Sequence, residues 1–148
     1  MADSIVRLVV DCSVVMKWKM LAEDHAAAAN ELLLDWEHEA VDVYVPNHFQ
    51  SEIVSAFLRA HRRGRIRTDE AQEAIRDLLA LPFIICDIAS IAERAFSIAQ
   101  QHYQRAYDCL YVALAERQEG ELWTGDQRLY NALHLHYAYV RWIADYRR

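Results

Sequence analysis

The 148-residue sequence predicts an α/β fold in three layers, with a mostly parallel central sheet flanked by helices. Short β-branched runs alternate with longer segments of helical periodicity along the whole chain. The first run, Ile5-Val6-Arg7-Leu8-Val9-Val10, is mostly apolar without alternating, as a strand covered on both faces must be. Apolar residues make up 54% of the chain against three glycines and two prolines, which excludes disorder and collagen-like repeats. The length suits a single domain over residues 1–148.

The first strand ends in Asp11, and Ser13 is placed to cap a short helix over 14–20. Residues 23–39 predict a longer helix with Ala28, Leu32, Leu33, Trp36 and Ala40 on its apolar face. A second strand over 41–45 is closed by Pro46-Asn47. The helix that follows takes Ile53, Val54, Phe57 and Leu58 as its core face, and Gly64 breaks it from the next. Thr68 is a candidate cap for a helix turning Ala71, Ile75, Leu78 and Leu79 inward, and Pro82 leads into a third strand over 83–86. Ser90 and Glu93 have the spacing of a capping box, opening a helix with Ala95, Ile98 and Ala99 on one side. A helix over 107–118 packs through Leu110, Tyr111 and Leu114, and Gly120 stops it. Leu122-Trp123-Thr124 reads as a short central strand, Gly125-Asp126 as a turn, 127–133 as a helix and 137–143 as the last strand.

The formal charge is −6, from 16 Lys plus Arg against 22 Asp plus Glu, which disfavours a protein held to nucleic acid chiefly through phosphates. An enzyme binds its substrate transiently, however, and metal ions neutralise an acidic site. Arg59, Arg62, Arg63, Arg65 and Arg67 form a local basic cluster, either a solvated helix end and loop or a phosphate-facing patch. Cys12, Cys86 and Cys109 have neither disulfide nor metal-ligand spacing. The opening Met1-Ala2-Asp3-Ser4-Ile5 lacks a basic leader region, and no apolar run is long enough for a membrane span, so the expected compartment is the cytoplasm. The histidines are scattered apart from His134 and His136, which excludes the common zinc motifs, and the four tryptophans are expected in the core or at an interface.

Asp11 and Asp126 each follow an apolar strand, where open α/β sheets bind ligands in the crevice beyond the strand ends. Each also suits a plain helix cap, and a shared site requires their strands to be neighbours. Asp108 lies in the first turn of a helix beside its apolar stripe, so partial burial there demands a cation or a donor. Glu52 stands among Ile53, Val54 and the small Ser55 and Ala56, which leave room around its carboxylate. Carboxylate clusters of this kind suit Mg²⁺ or Mn²⁺ and phosphodiester hydrolysis. Paired carboxylates also serve glycoside hydrolysis, and spacing in sequence does not separate the two.

Four segments together resemble the PIN-domain family, particularly the VapC-like toxins of toxin–antitoxin pairs. They are VVDCSVVMKW from Val9, PNHFQSEIVSAF from Pro46, YDCLYVALAE from Tyr107 and LWTGDQRL from Leu122. The resemblance implies a PIN-like domain that cleaves RNA as a metal-dependent endoribonuclease, with Mg²⁺ or Mn²⁺ coordinated by Asp11, Glu52, Asp108 and Asp126, directly or through water. Asp11 and Asp108 would be the principal ligands, Glu52 would orient the attacking water, and Asp126 would complete the cluster. Ser13 and Thr124 match hydroxyl positions of the family near the acids. Ser55 stands where relatives often have Asn, keeping a donor and an acceptor at shorter reach. The family also implies a homodimer held inactive by a cognate antitoxin, with the apolar faces before Glu52 and over 66–81 as contact candidates. The alternatives are a PIN-like RNA-binding or regulatory protein without catalysis, and a nuclease that processes DNA or structured RNA.

Overall fold

The computed structural model describes residues 4–147; Met1, Ala2, Asp3 and Arg148 lie outside the described residues. The first apolar run becomes β1 (Val6–Val10), whose Leu8, Val9 and Val10 are buried. It is the middle strand, paired in parallel with β2 (Val41–Pro46) on one side and β4 (Glu121–Thr124) on the other. β3 (Ile84–Cys86) and β5 (Val140–Trp142) extend the sheet to the order β3-β2-β1-β4-β5, with every pairing parallel. The order reverses between β1 and β4, and that reversal fixes where a crevice opens.

Each parallel pairing needs a crossover, and the helices supply them. They are α1 (Cys12–Lys17), α2 (Ala26–Glu37), α3 (Phe49–Arg62), α4 (Thr68–Leu79), α5 (Ala92–His102), α6 (Ala106–Arg117) and α7 (Gln127–Leu133). α6 lies across β1, β2 and β4 and is buried without interruption from Cys109 to Ala115, as a helix apolar all round its surface must be. Trp18, Trp36, Phe49 and Phe83 form one aromatic cluster with ring centroids 4.7–6.3 Å apart. Trp123 is also buried, in agreement with the core role expected of the tryptophans. No helix among the described residues is long and apolar enough to cross a membrane.

Several local expectations change. Val54 and Leu58 are 47% and 44% exposed, because α3 turns only Phe49, Ile53, Ala56, Phe57 and Ala60 onto the core. The Ser90 capping box does not form. Ser90 ends a 3₁₀ turn and donates to Asp87 O at 2.9 Å, so Ile91 precedes the helix. Thr68 is the first helical residue and Arg67 the cap position, where its N–H donates to Glu70 Oε1 at 3.3 Å. Ser13 does not cap α1, since Asp11 holds that position and accepts the Ser13 N–H. The predicted helix over 23–39 begins only at Ala26, after His25 takes a left-handed conformation at φ 63°. The last strand contracts to three residues and runs into a 3₁₀ turn.

Gly120 has a different job from the helix stop expected of it. The left-handed residue after α6 is Glu119, at φ 52°, while a Cβ on Gly120 would stand 2.3 Å from the Arg7 carbonyl oxygen. The glycine lets β4 begin against β1. Gly64, at φ 71°, meets nothing within 4 Å and serves only the left-handed turn between α3 and α4. Gly120→Ala is therefore expected to lower the unfolding free energy by about 1–3 kcal/mol through backbone overpacking. Gly64→Ala is expected to cost about 1 kcal/mol through backbone conformation alone. Urea titration of the two variants separates these causes, and a smaller loss at Gly120 than at Gly64 would contradict the close approach.

Candidate functional site

Asp11 leaves the end of β1 and is only 8% exposed. Its Oδ1 accepts the Ser13 N–H at 3.1 Å and the Ser13 hydroxyl, and its Oδ2 accepts the Thr124 hydroxyl at 2.5 Å. The same hydroxyls then act as acceptors: Gly125 N donates to Ser13 Oγ at 2.8 Å, and Asp126 N donates to Thr124 Oγ1 at 3.0 Å. Val10 pairs with Trp123, so Asp11 and Thr124 are the next positions on neighbouring strands. The condition for a shared site is met, and it lies at the reversal of strand order.

Asp126 caps α7, with Oδ1 accepting from Arg128 N at 3.1 Å and Leu129 N at 3.2 Å. Oδ2 takes no hydrogen bond among the described residues. Asp108 stands in the first turn of α6, half-buried, and its carboxylate takes no hydrogen bond among the described residues. Glu52 stands in the first turn of α3 and accepts the Tyr111 hydroxyl at 2.7 Å through Oε1. His48 Nε2 lies 2.8 Å from the same oxygen, close enough for an ion pair but off the line of a hydrogen bond. Both His48 ring nitrogens are buried without a hydrogen-bond partner among the described residues, and the ring packs beside Tyr107 and Tyr111 at centroid distances of 5.7 and 5.0 Å.

The electrostatics tie these acids together. Burial pushes Asp11 up to about 6 against the lowering effect of the Ser13 and Thr124 hydroxyls, and the charges of Asp108 and Asp126 add to the rise. Burial also raises Asp108, helped by Asp126 and then Glu52. Burial holds the Tyr111 hydroxyl protonated, so it serves as a donor to Glu52. The Cys12 thiol is pushed up by burial and by the charges of Glu52 and Asp11, and Cys109 rises to about 11, so neither is a ready thiolate.

Two carboxylates raised by burial and by neighbouring acids, one of them without a donor among the described residues, make a donor set suited to a hard divalent cation. Each also lies within reach of a helix N-terminus, whose dipole offsets only part of the repulsion. Among the described residues no group of three or more His, Cys, Asp or Glu side chains stands close enough together to hold a metal ion as placed.

Of the accessory residues, Ser13 and Thr124 touch Asp11 directly. Ser55 is exposed and lines a cleft of about 450 Å³ with His48, Ser51, Glu52, Arg59 and Tyr107, where it makes no hydrogen bond among the described residues. Sequence reasoning missed His48 and Tyr111 as neighbours of Glu52. Their signals were the four-residue step from His48 to Glu52 and the three-residue step from Asp108 to Tyr111. The arginine cluster divides: Arg59 faces the cleft, whereas Arg65 pairs with Glu23 and Arg67 with Asp69 and Glu70.

A family model described as "PIN domain" matches residues 8–134. Ribonuclease VapC3 of Pyrobaculum aerophilum is 29% identical over 83% of this chain and 92% of its own length. VapC ribonuclease Mb0985 of Mycobacterium bovis is 32% identical over 74% of this chain and 88% of its own. The crystal structure of Mycobacterium tuberculosis VapC20, described as a sarcin-ricin loop cleaving toxin, superposes with a TM-score of 0.61. It covers 90% of this chain and 98% of that one at 18% identity, a likeness of fold.

The raised Asp11 gives a signed pH dependence. The unfolded carboxyl titrates near 3.9, so between about pH 4 and 6 the folded chain carries the extra proton and its stability falls as pH rises. With metal chelated, wild type is expected to lose roughly 2–3 kcal/mol between pH 4 and 7 relative to Asp11→Asn. A divalent cation at pH 7 should restore much of the loss. Parallel pH profiles of the two proteins in urea titration would refute this burial cost.

Proposed function

The chain belongs to the PIN-domain family, and on that premise we propose that it is a divalent-metal-dependent endoribonuclease acting as the toxin of a toxin–antitoxin pair. The observation that carries the reading is Asp108, half-buried with no donor among the described residues and raised by burial and then by the charges of Asp126 and Glu52; its own charge helps raise the buried Asp11. Asp11 and Asp108 would hold the ion, Mg²⁺ with Mn²⁺ as its substitute, Asp126 would complete the set through Oδ2, and Glu52 would reach it through water. The ion, when bound, makes water acidic enough to attack and offsets charge on the phosphodiester.

The remaining steps belong to side chains. The Ser13 and Thr124 hydroxyls fix the orientation of Asp11, which a free rotamer would lose. Tyr111 holds Glu52 through Oε1, leaving Oε2 to accept the proton of the attacking water. Arg59 and Ser55 line the cleft where the strand enters, and the Arg59 guanidinium suits a phosphate. An acidic chain can handle RNA in this way because repulsion falls once the ion is in place.

RNA cleavage with Mg²⁺ is expected to fall by at least about a hundredfold in Asp11→Asn and in Asp108→Asn, and to stop with a chelator. Full cleavage by both folded variants, or indifference to chelation, would overturn the reading. The lack of a closed ligand group among the described residues also suits a PIN-like RNA-binding protein without catalysis. Calorimetric titration with Mn²⁺ decides between them, since a non-catalytic protein shows no uptake that depends on Asp11 and Asp108. Defined RNA and DNA substrates distinguish this toxin from a DNA-processing nuclease.

The same reading places the protein in the cytoplasm as a homodimer that a cognate antitoxin inhibits. Val54 and Leu58 support a protein contact, being an exposed i, i+4 apolar pair on the helix that carries Glu52 and Arg59. Sedimentation at micromolar concentration is expected to give twice the chain mass for wild type and a smaller mass for Val54→Asp combined with Leu58→Asp. A monomeric wild type would remove the dimer from the proposal.

A further inference from the structure

Lys17 is a charged side chain that the chemistry above leaves unused. It ends α1 and is only 7% exposed, rare burial for a lysine. Its ammonium lies 3.7 Å from Glu23 Oε2, and among the described residues it makes no hydrogen bond. An anchoring ion pair would close to about 2.7–2.9 Å. Glu23 is also shared, because Arg65 Nη2 reaches its Oε1 at 3.2 Å. Two cations therefore divide one carboxylate, and Lys17 keeps donors to spare.

That ammonium lies close to the turn after β4. A Cβ on Gly125 would stand 2.8 Å from Lys17 Cε, 3.4 Å from Lys17 Nζ and 3.3 Å from Ser13 Oγ. The lysine side chain thus folds over the strand end, next to the hydroxyl that holds Asp11. A cleft of about 510 Å³ opens at this place, lined by Ser13, Lys17, Glu23, His25, Gln127 and Trp142 among others. Its aromatic wall is braced, with His25 edge-on to Trp142 at 5.5 Å and Tyr130 at 5.7 Å from the same ring. A buried cation, a flat ring and an exposed amide around one cleft match the three parts of a nucleotide.

We propose that this cleft is a nucleotide subsite for the RNA strand, in which the Lys17 ammonium contacts a backbone phosphate flanking the scissile bond and Trp142 faces the adjacent base. The inference rests on the ribonuclease reading. It makes Lys17 a substrate-binding residue, one that sits beside the Ser13 hydroxyl holding Asp11.

The test measures equilibrium binding of a random-sequence single-stranded RNA across a salt series, in the full chain carrying Asp108→Asn so that the RNA survives. Lys17→Met is expected to reduce the slope of log affinity against log salt by about 0.7, the share of one phosphate contact on a single strand. Lys17→Arg should keep the slope, and so should Glu23→Gln. An unchanged slope in Lys17→Met, or an equal fall in Glu23→Gln, overturns the subsite, since the lysine would then act only by holding Glu23. Should the methionine variant lose its circular dichroism signal, Lys17→Gln replaces it with the same expectation. Wild-type cleavage is measured alongside. Absence of both RNA cleavage and RNA binding overturns the ribonuclease reading and the subsite together, whereas cleavage with an unchanged slope overturns the subsite alone.

Discussion

The buried Asp11 carboxylate, bridged by a hydroxyl from its own helix and another from the neighbouring strand, sets the geometry of the whole functional edge. An ionised group that far from water costs several kcal/mol unless it is paired or hydrogen-bonded. Two hydroxyls lower that cost without removing it, which is why the group still titrates near 6. Thr124 can reach Asp11 only because β4 lies beside β1 in that register, and Ser13 only because α1 begins immediately after the strand. The same two hydroxyls take the Gly125 and Asp126 amides, so the turn after β4 is shaped by the carboxylate it helps to hold.

Parallel topology brings the remaining acids to that edge. In a sheet whose pairings are all parallel, helices follow strands at one end, so their free N–H groups collect where the strands finish. Asp126 fills the cap position of α7, while Glu52 and Asp108 occupy the first turns of α3 and α6. Each placement is favourable for the helix taken alone. Together they concentrate negative charge, and Asp108, raised first by burial, is raised further by Asp126 and Glu52. Local stability and collective strain thus come from the same residues.

Much of this was legible in the sequence because it depended on local chemistry. The helix over Gln127–Leu133 and the strand before it follow from apolar runs bounded by Gly125-Asp126, and the strand-end positions of Asp11 and Asp126 follow from the same boundaries. What sequence could not supply was set by packing between distant elements. Val54 and Leu58 share the apolar character of Ile53 and Phe57, and only the approach of neighbouring helices decides which pair is covered. Tyr111 looked like core and is core, yet its hydroxyl ends on Glu52, 59 residues away. Ser90 had the composition of a cap, but the Asp87 carbonyl was closer than the helix it was expected to close. Gly120 was read as a stop when its requirement comes from the Arg7 backbone of another strand.

The four acids are tethered unequally. Asp11 is held at both oxygens, Asp126 is tied to the first turn of α7, and Glu52 is tied through Tyr111. Asp108 alone takes no hydrogen bond among the described residues. In the proposed reading the centre therefore works as a vice with one sliding jaw: three acids define where an ion sits, and rotation of Asp108 takes up differences in ionic radius. Tolerance between ions of unlike size would then be a property of one side-chain torsion on α6, separable from the rigidity of the sheet that carries the rest.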